Sequence, residues 1–473
     1  MTNWTLFAPE LFMLAAAGLF FALSLARPQP ARDFAAAMVA AAIGLSLTVW
    51  AVGAEGVLFA GTYRVDLFSQ VFKVLISAGF FLVICLCGDL SGVADKRHSE
   101  FYLLLAVCTL ALMLLTSCVH LLAIYLALEL SSYSLYILVC LRRGREKGLE
   151  SGLKYFIIGA CASALMLFGF ALLYGTGMSL HLADLAREVP GRLHEPVVLI
   201  GFVLGLSGFL FKIAAFPFHF WAPEVYEAAP HQAGAYIATV SKAGGIAVLM
   251  RITAAAGAGG DQLVAFLMVV SVASMTLGNL AAIAQQDLKR LLAFSSVAHA
   301  GYVMIAILSF NAMGLSSGVF YALSLLVMKL TCFMIVIQVS AGGNNIRIND
   351  LAGLHRQAPV LAAALMLALF GLAGIPPTVG FTAKLLVFTA AAENGYLWLV
   401  IVAMANVVIS LYYYLRVLKA AYFLEPEDSA SLVRVPASLN LLALVMIFLT
   451  VAAGIYPQPF IAAARAMTLG ILG

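Results

Sequence analysis

Five lysines stand deep within apolar stretches of the chain: Lys154, Lys212, Lys242, Lys329 and Lys384. An amine in hydrocarbon is costly, so it persists where it faces a partner or a wet cavity, and there it can carry a proton. Two of the five adjoin Pro/Gly breaks, Lys212 in FKIAAFPFHFWAP and Lys384 after GIPPTVGF. A helix break at membrane depth frees backbone groups that only protein or water can satisfy. Buried amines beside broken helices predict a path for protons or small cations.

Other titratable groups extend the set. Glu129 is the one carboxylate well inside the spans of the first half, and Tyr125, Ser131, Ser132, Tyr133 and Ser134 surround it. Lys212, about fifteen residues or roughly 22 Å into its helix, is its expected partner. Such a pair either exchanges protons as its surroundings open and close or is a static ion pair. His219 follows in the break itself, as a relay or as a hydrogen-bonded core residue. Lys242 is too far from either end of its span to snorkel, and Gly244 and Gly245 beside it permit close helix approach. His299 occupies a polar streak with Ser295, Ser296 and Tyr302, and Lys329 lies mid-span. Read in order, Lys212, Lys242, His299, Lys329 and Lys384 predict a polar axis along the membrane plane. The alternative is unrelated polar residues in separate bundles. Lys384, whose nearest carboxylate in sequence is Glu393, reads as a lysine open to the outside through water. Lys154 either joins a proton path or snorkels to the cytoplasmic surface, Lys73 pairs with Asp66 at a helix end, and Tyr412 to Tyr414 read as packing residues.

The elements that position these groups follow from composition. Hydrophobic residues make up 64% of the chain and charged residues 10%, with a mean hydropathy of +1.05. Soluble domains carry about 25% charged residues, so the chain reads as an all-α polytopic membrane protein. A net charge of +4 without any Lys/Arg block excludes a nucleic-acid partner and leaves the lipid bilayer as the surrounding phase. Seven scattered cysteines lack C-x-x-C spacing and read as small apolar residues. The first residues lack a basic region and run directly into a span, unlike a cleaved signal peptide.

A span needs about 20 apolar residues, which predicts about fourteen transmembrane helices. The seventh, 197–227, and the twelfth, 358–394, are too long for one straight helix and contain the breaks. Outside the spans, fifteen Lys/Arg fall after odd-numbered helices, Arg142, Arg143, Arg145, Lys289 and Arg434 among them, against five on the opposite side. The positive-inside rule then places both termini in the periplasm. Broken helices five apart enter from opposite faces and predict two inverted five-helix repeats. The expected divisions are a three-helix segment at 1–100, a first repeat at 101–255, a second at 256–425 and a last helix at 426–473.

FKIAAFPFHFWAPEVYEAAP with YIATVSK, then QDLKRLLAFSSVAHAGY and GIPPTVGFTAKLLVF, form a specific pattern across about 125–390. It resembles the antiporter-like proton-translocating subunits of respiratory complex I (the bacterial NADH–quinone oxidoreductase), most closely the subunit N type. The resemblance implies fourteen helices with two inverted repeats in the bacterial inner membrane. It further implies Glu129 with Lys212 as a paired site, Lys242 as the central relay, and His299 and Lys384 as the matching groups of the second repeat. It implies no cofactor in this chain, with NADH, FMN, iron–sulfur clusters and quinone in partner subunits, and an antiporter-like subunit M and small subunits J and K as neighbours. One departure is AAPHQAGAY, where the family has something like GAPTPVTAF; it adds His231 near the cytoplasmic end of the eighth span. The competing classes are a multi-component Na⁺/H⁺ antiporter, a membrane-bound hydrogenase or other-donor complex, a stand-alone carrier and a structural scaffold. No Walker loop, GxGxxG, HExxH or nucleophile elbow is present, so soluble-enzyme chemistry has no support.

Overall fold

A helix that is apolar on every side belongs in the interior, and the chain places its polar-streaked lysine helices there. The computed structural model describes residues 4–142, 146–257, 260–340, 342–425 and 435–472. Arg143, Arg145 and Arg434 of the charge argument lie outside them.

The chain begins with α1 (Ala8–Ser24) and α2 (Pro30–Trp50), then a hairpin of β1 (Gly56–Leu58) antiparallel to β2 (Tyr63–Val65). This hairpin is a small departure from a purely helical reading. Next come α3 (Leu67–Cys85), α4 (His98–Ser117), α5 (Leu121–Cys140) and α6 (Glu146–Gly175). A short helix α7 (Leu182–Arg192) precedes the first broken segment: α8 (Pro196–Gly205), α9 (Ser207–Ile213) and, across the break, α10 (Trp221–Ala228). Helices α11 (His231–Ala238) and α12 (Val240–Ala255) share one span, followed by α13 (Asp261–Ile283), α14 (Leu288–Leu308) and α15 (Ala312–Val339). A one-turn helix α16 (Leu354–Gln357) leads to the second broken segment, α17 (Pro359–Ala373) and α18 (Val379–Glu393). The described chain ends with α19 (Leu397–Phe423), α20 (Ala437–Ile455) and α21 (Gln458–Leu472).

Thirteen helices among the described residues are long and apolar enough to cross a membrane. The count takes α8–α9 as one run, Pro196–Ile213, and α11–α12 as another, His231–Ala255, whereas α17 and α18, 15 residues each, are separated by the break and are too short individually. That is the physical reason the count differs from the fourteen expected. Helices α12, α14 and α15 form the interior, whereas α1, α2, α6, α19 and α20 present Leu14, Ile43, Phe168, Val408 and Phe448 outward.

The two breaks end in the same way. Helix α9 stops at Ala214 with φ 59° and α17 stops at Gly374 with φ 87°, both left-handed. A third interruption, between α11 and α12, falls at Thr239 (φ −121°, ψ −78°), three residues before Lys242. The sequence predicts no break here, since neither proline nor glycine marks the position.

Candidate proton-transfer site

Lys212 is the penultimate residue of α9 and is buried. Its Nζ donates to Ser131 Oγ at 2.7 Å and to Ser132 Oγ at 3.2 Å. The stem leans on α12 because Gly245 has no side chain: a Cβ there would lie 3.0 Å from Lys212 Cγ. Backbone groups freed by the break are satisfied by protein, Trp221 Nε1 donating to Phe211 O at 3.0 Å and Phe216 N to Ser274 Oγ at 2.9 Å.

Glu129 is not in direct contact with Lys212. Its Oε1 instead accepts from the Ser163 hydroxyl of α6, and no Glu129–Lys212 ion pair occurs among the described residues. Ser131, two residues on from Glu129, leaves α5 on another face, whereas Ser132, three residues on, shares the Glu129 face, and the Glu129 charge acts on Lys212. The two serines are the direct partners of Lys212, and Glu129 acts on it through its charge without an ion-pair contact.

Lys242, Thr239, Ser296, His299 and Lys329 line one cavity of about 20 Å³, room for a single water. Lys242 Nζ has no hydrogen-bond partner among the described residues and lies 5.8 Å from the centre of the Tyr226 ring. It is therefore free to meet whatever occupies the cavity. Lys329 Nζ is held differently, donating to Leu292 O at 2.9 Å and Ser295 Oγ at 2.7 Å.

A continuous chain of hydroxyls joins Lys329 to His299. Ser295 Oγ is hydrogen-bonded to the Tyr414 hydroxyl, which lies 3.3 Å from His299 Nε2, while His299 Nδ1 lies 2.7 Å from the Tyr321 hydroxyl. Because Lys329 donates to Ser295, one consistent assignment has Ser295 donating to Tyr414 and Tyr414 donating to His299. A proton entering at Lys329 can thus leave at Nε2 by successive hops. The sequence reads Tyr414 as packing, since nothing in it links Tyr414 to residues more than a hundred positions away.

The second break holds Lys384. Its Nζ donates to Leu372 O at 2.8 Å and Ala373 O at 3.0 Å, the carbonyls left free where α17 ends, and lies 4.9 Å from the Tyr302 ring centre. Carbonyls at a helix C-terminus carry partial negative charge and suit an ammonium. Lys384 is only 4% exposed, which corrects the expectation of a lysine open to the outside. The ring of Tyr302 lies 5.8 Å from that of His299, linking the second break to the central cavity.

Three expected groups fall away from this axis. His219 is buried in the first break with its ring against Phe216 and Phe220. His231 is bonded through Nε2 to Ser340 Oγ and Asn344 O. Lys154 is half-exposed and sits 2.8 Å from both Glu150 and Glu224. Sequence reasoning misses Glu224, although a carboxylate directly after Trp-Ala-Pro in the WAPEVYE stretch signals it. The seven cysteines are free, and no group of three or more His, Cys, Asp or Glu that could hold a metal occurs among the described residues.

Comparison with known proteins identifies the family. Residues 118–410 match the family described as "NADH:quinone oxidoreductase/Mrp antiporter, TM". The chain is 56% identical to NADH-quinone oxidoreductase subunit N 2 of Syntrophobacter fumaroxidans, over 99% of this chain and 100% of that one. The chain belongs to the NADH-quinone oxidoreductase subunit N family. A second family member, subunit N 2 of Opitutus terrae, is 39% identical over 97% of this chain and 96% of its own. A chain of respiratory complex I from Thermus thermophilus superposes with a TM-score of 0.85 at 33% identity, over 97% of this chain and all of that one. The Mrp complex of Dietzia sp. DQ12-45-1b shares the fold, with a TM-score of 0.88 at 20% identity, over 100% of this chain and 98% of that chain. Members of the subunit N family are membrane subunits of the translocase NADH:quinone oxidoreductase, and this chain is accordingly a multi-pass membrane protein of that complex.

Proposed function

We infer that the chain moves protons through its interior, driven by quinone reduction in other subunits of the complex. The observation that carries this reading is the convergence of Lys242, His299 and Lys329 on one buried cavity, flanked by Lys212 and Lys384 at the two helix breaks. Glu129 and the Ser131–Ser132 pair form the entry group of the first half, and the Lys154–Glu224 pair is a secondary group at the protein surface. Lys242 receives the proton at the cavity; Lys329, Ser295, Tyr414 and His299 pass it by hydroxyl hops; Lys384 holds the far end on the α17 carbonyls. His219 and His231 serve as secondary groups near the breaks and the cytoplasmic end.

The same reading counts α17 and α18 as one broken crossing, which makes fourteen, and takes 101–255 and 256–425 as inverted repeats. The matching left-handed stops at Ala214 and Gly374 support it. The chain then sits in the bacterial inner membrane with both termini periplasmic. Its neighbours are an antiporter-like subunit M and small subunits J and K, and NADH, FMN, iron–sulfur and quinone chemistry resides in partner subunits.

A Na⁺/H⁺ antiporter is the second reading, favoured by the shared family description and by the Mrp fold likeness. The full-length identity to subunit N relatives weighs against it. The discriminating experiment purifies the complex through a tag on this chain and reconstitutes it in proteoliposomes. NADH-driven acidification abolished by a protonophore and indifferent to Na⁺ supports the reading; Na⁺-dependent exchange without NADH overturns it.

A further inference from the structure

We propose that Glu10 of α1 and Lys73 of α3 form a second proton-exchanging pair, lying between the Lys242 cavity and the membrane face marked by Asp66 and Arg251. This rests on the reading that Lys242 carries protons, and it gives the N-terminal three-helix segment a part in the outward path.

The two side chains are wholly buried, with Lys73 Nζ 2.7 Å from Glu10 Oε1. The seven-residue spacing predicts Lys73 paired with Asp66. Asp66 is instead taken by Arg251, whose two terminal nitrogens each donate to it at 2.9 Å, with Arg64 a further neighbour at 3.6 Å. Tyr63 of β2 donates its hydroxyl to Glu10 Oε1 at 2.8 Å, and its ring lies 5.2 Å from Lys73 Nζ. Burial, and then the charge of Glu10, push the Tyr63 phenol well above its usual range. Tyr63 therefore keeps its proton and serves Glu10 as a donor. The Cys118 thiol, pushed up to about 12 mainly by burial, is the other titratable neighbour and likewise stays protonated.

Depth follows from helix packing. Helices α3 and α12 run antiparallel: a Cβ on Gly79 would lie 2.6 Å from Val240 Cγ2, and Asp66 at the other end meets Arg251. Gly79 is thus level with the residue two before Lys242. Lys73 lies about midway, roughly 10 Å along α3 from Asp66 at 1.5 Å per residue. Its face of α3 is a polar stripe of Gln70, Lys73 and Ser77, all buried.

A pair kept only as a clamp gains nothing from idle polar atoms around it, since each buried unsatisfied group is costly. Here Glu10 Oε2, both amide atoms of Gln70 and the Ser77 hydroxyl have no hydrogen-bond partner among the described residues. These are the atoms on which a proton or a carrying water can land. The exchange balances in one cycle. A proton from the cavity side binds Glu10 Oε2, and the neutralised carboxyl no longer compensates the Lys73 ammonium. Lys73 releases a proton toward the Asp66 face, then takes the Glu10 proton and restores the pair. One proton enters, one leaves, and no electron moves.

The test uses the assembled complex in proteoliposomes, comparing Lys73→Arg, Glu10→Gln and Lys242→Met for assembly, NADH oxidation and protons moved per electron. Arginine keeps the charge of the pair but does not deprotonate in proteins. The proposal expects Lys73→Arg and Glu10→Gln complexes to assemble and to pump several-fold fewer protons per electron. Normal pumping by both, with Lys242→Met impaired, makes the pair a structural clamp and overturns it. Failure of both variants to assemble also assigns a clamp. Normal pumping by Lys242→Met sinks the underlying relay reading instead.

Discussion

Removing the Tyr414 hydroxyl, as Tyr414→Phe, should interrupt the route from Lys329 to His299 while leaving the helix packing intact. The ring is 1% exposed and its space is kept by phenylalanine. Two contacts vanish, those to Ser295 Oγ and to His299 Nε2 at 3.3 Å. Ser295 retains the Lys329 ammonium as a donor, and His299 retains Tyr321 through Nδ1. The principal loss is therefore one bridging donor to a buried imidazole, worth about 1–3 kcal/mol. If that loss appears in the barrier to proton transfer, the step slows by roughly five- to a hundredfold at about 1.4 kcal/mol per decade. The assay is NADH-driven acidification of proteoliposomes normalised to NADH oxidation, with assembly checked by native electrophoresis. Pumping should fall well below the wild-type ratio. An assembled Tyr414→Phe complex that pumps at the wild-type ratio refutes the hydroxyl route.

Three further outcomes follow from the same geometry. Gly245→Val overpacks the Lys212 stem, at a cost of about 1–3 kcal/mol, and pulls its Nζ from Ser131 and Ser132; a lower melting temperature and reduced pumping check this. Lys384→Met leaves the Leu372 and Ala373 carbonyls without their donor, costing about 1–3 kcal/mol for each group; a lower melting temperature of the assembled complex checks this. Asp66→Asn breaks a buried pair with Arg251, a loss of about 3–5 kcal/mol. Burial alone would raise the Asp66 carboxyl, but the Arg251 charge and hydrogen bonds, with the Ser69 N–H, hold it below its usual 3.8. A depressed acid contributes stability above its unfolded value and loses it as pH falls through the folded one. The melting-temperature gap between wild type and Asp66→Asn should stay constant from neutral pH to about pH 4 and close only below it.

How much of this was legible in the chain depended on the range of the interactions. Lys212, Lys242, Lys329 and Lys384 announced themselves because a charge in an apolar run has few harmless explanations. The breaks at 214–220 and 374–378 were legible because proline and glycine punctuate locally. The interruption at Thr239 was not, since an ordinary sequence there is bent by its surroundings. Partners were the least legible. Glu129 and Lys212 looked complementary, and the carboxylate does act on the lysine through its charge, yet the direct contacts are Lys212 to two serines and Glu129 to Ser163. Tyr414 reaches Ser295 across 119 positions and Lys73 reaches Glu10 across the hairpin. Neither spacing carries a local signal, because each depends on how distant helices pack.

The account stands most directly on Lys242, the one axis lysine whose Nζ has no hydrogen-bond partner among the described residues. The decisive measurement replaces it with methionine, verifies assembly, and records protons translocated per electron during NADH oxidation. A relay predicts an intact complex in which this ratio drops sharply. An intact complex with an unchanged ratio at normal turnover would contradict the account and leave Lys242 a structural residue.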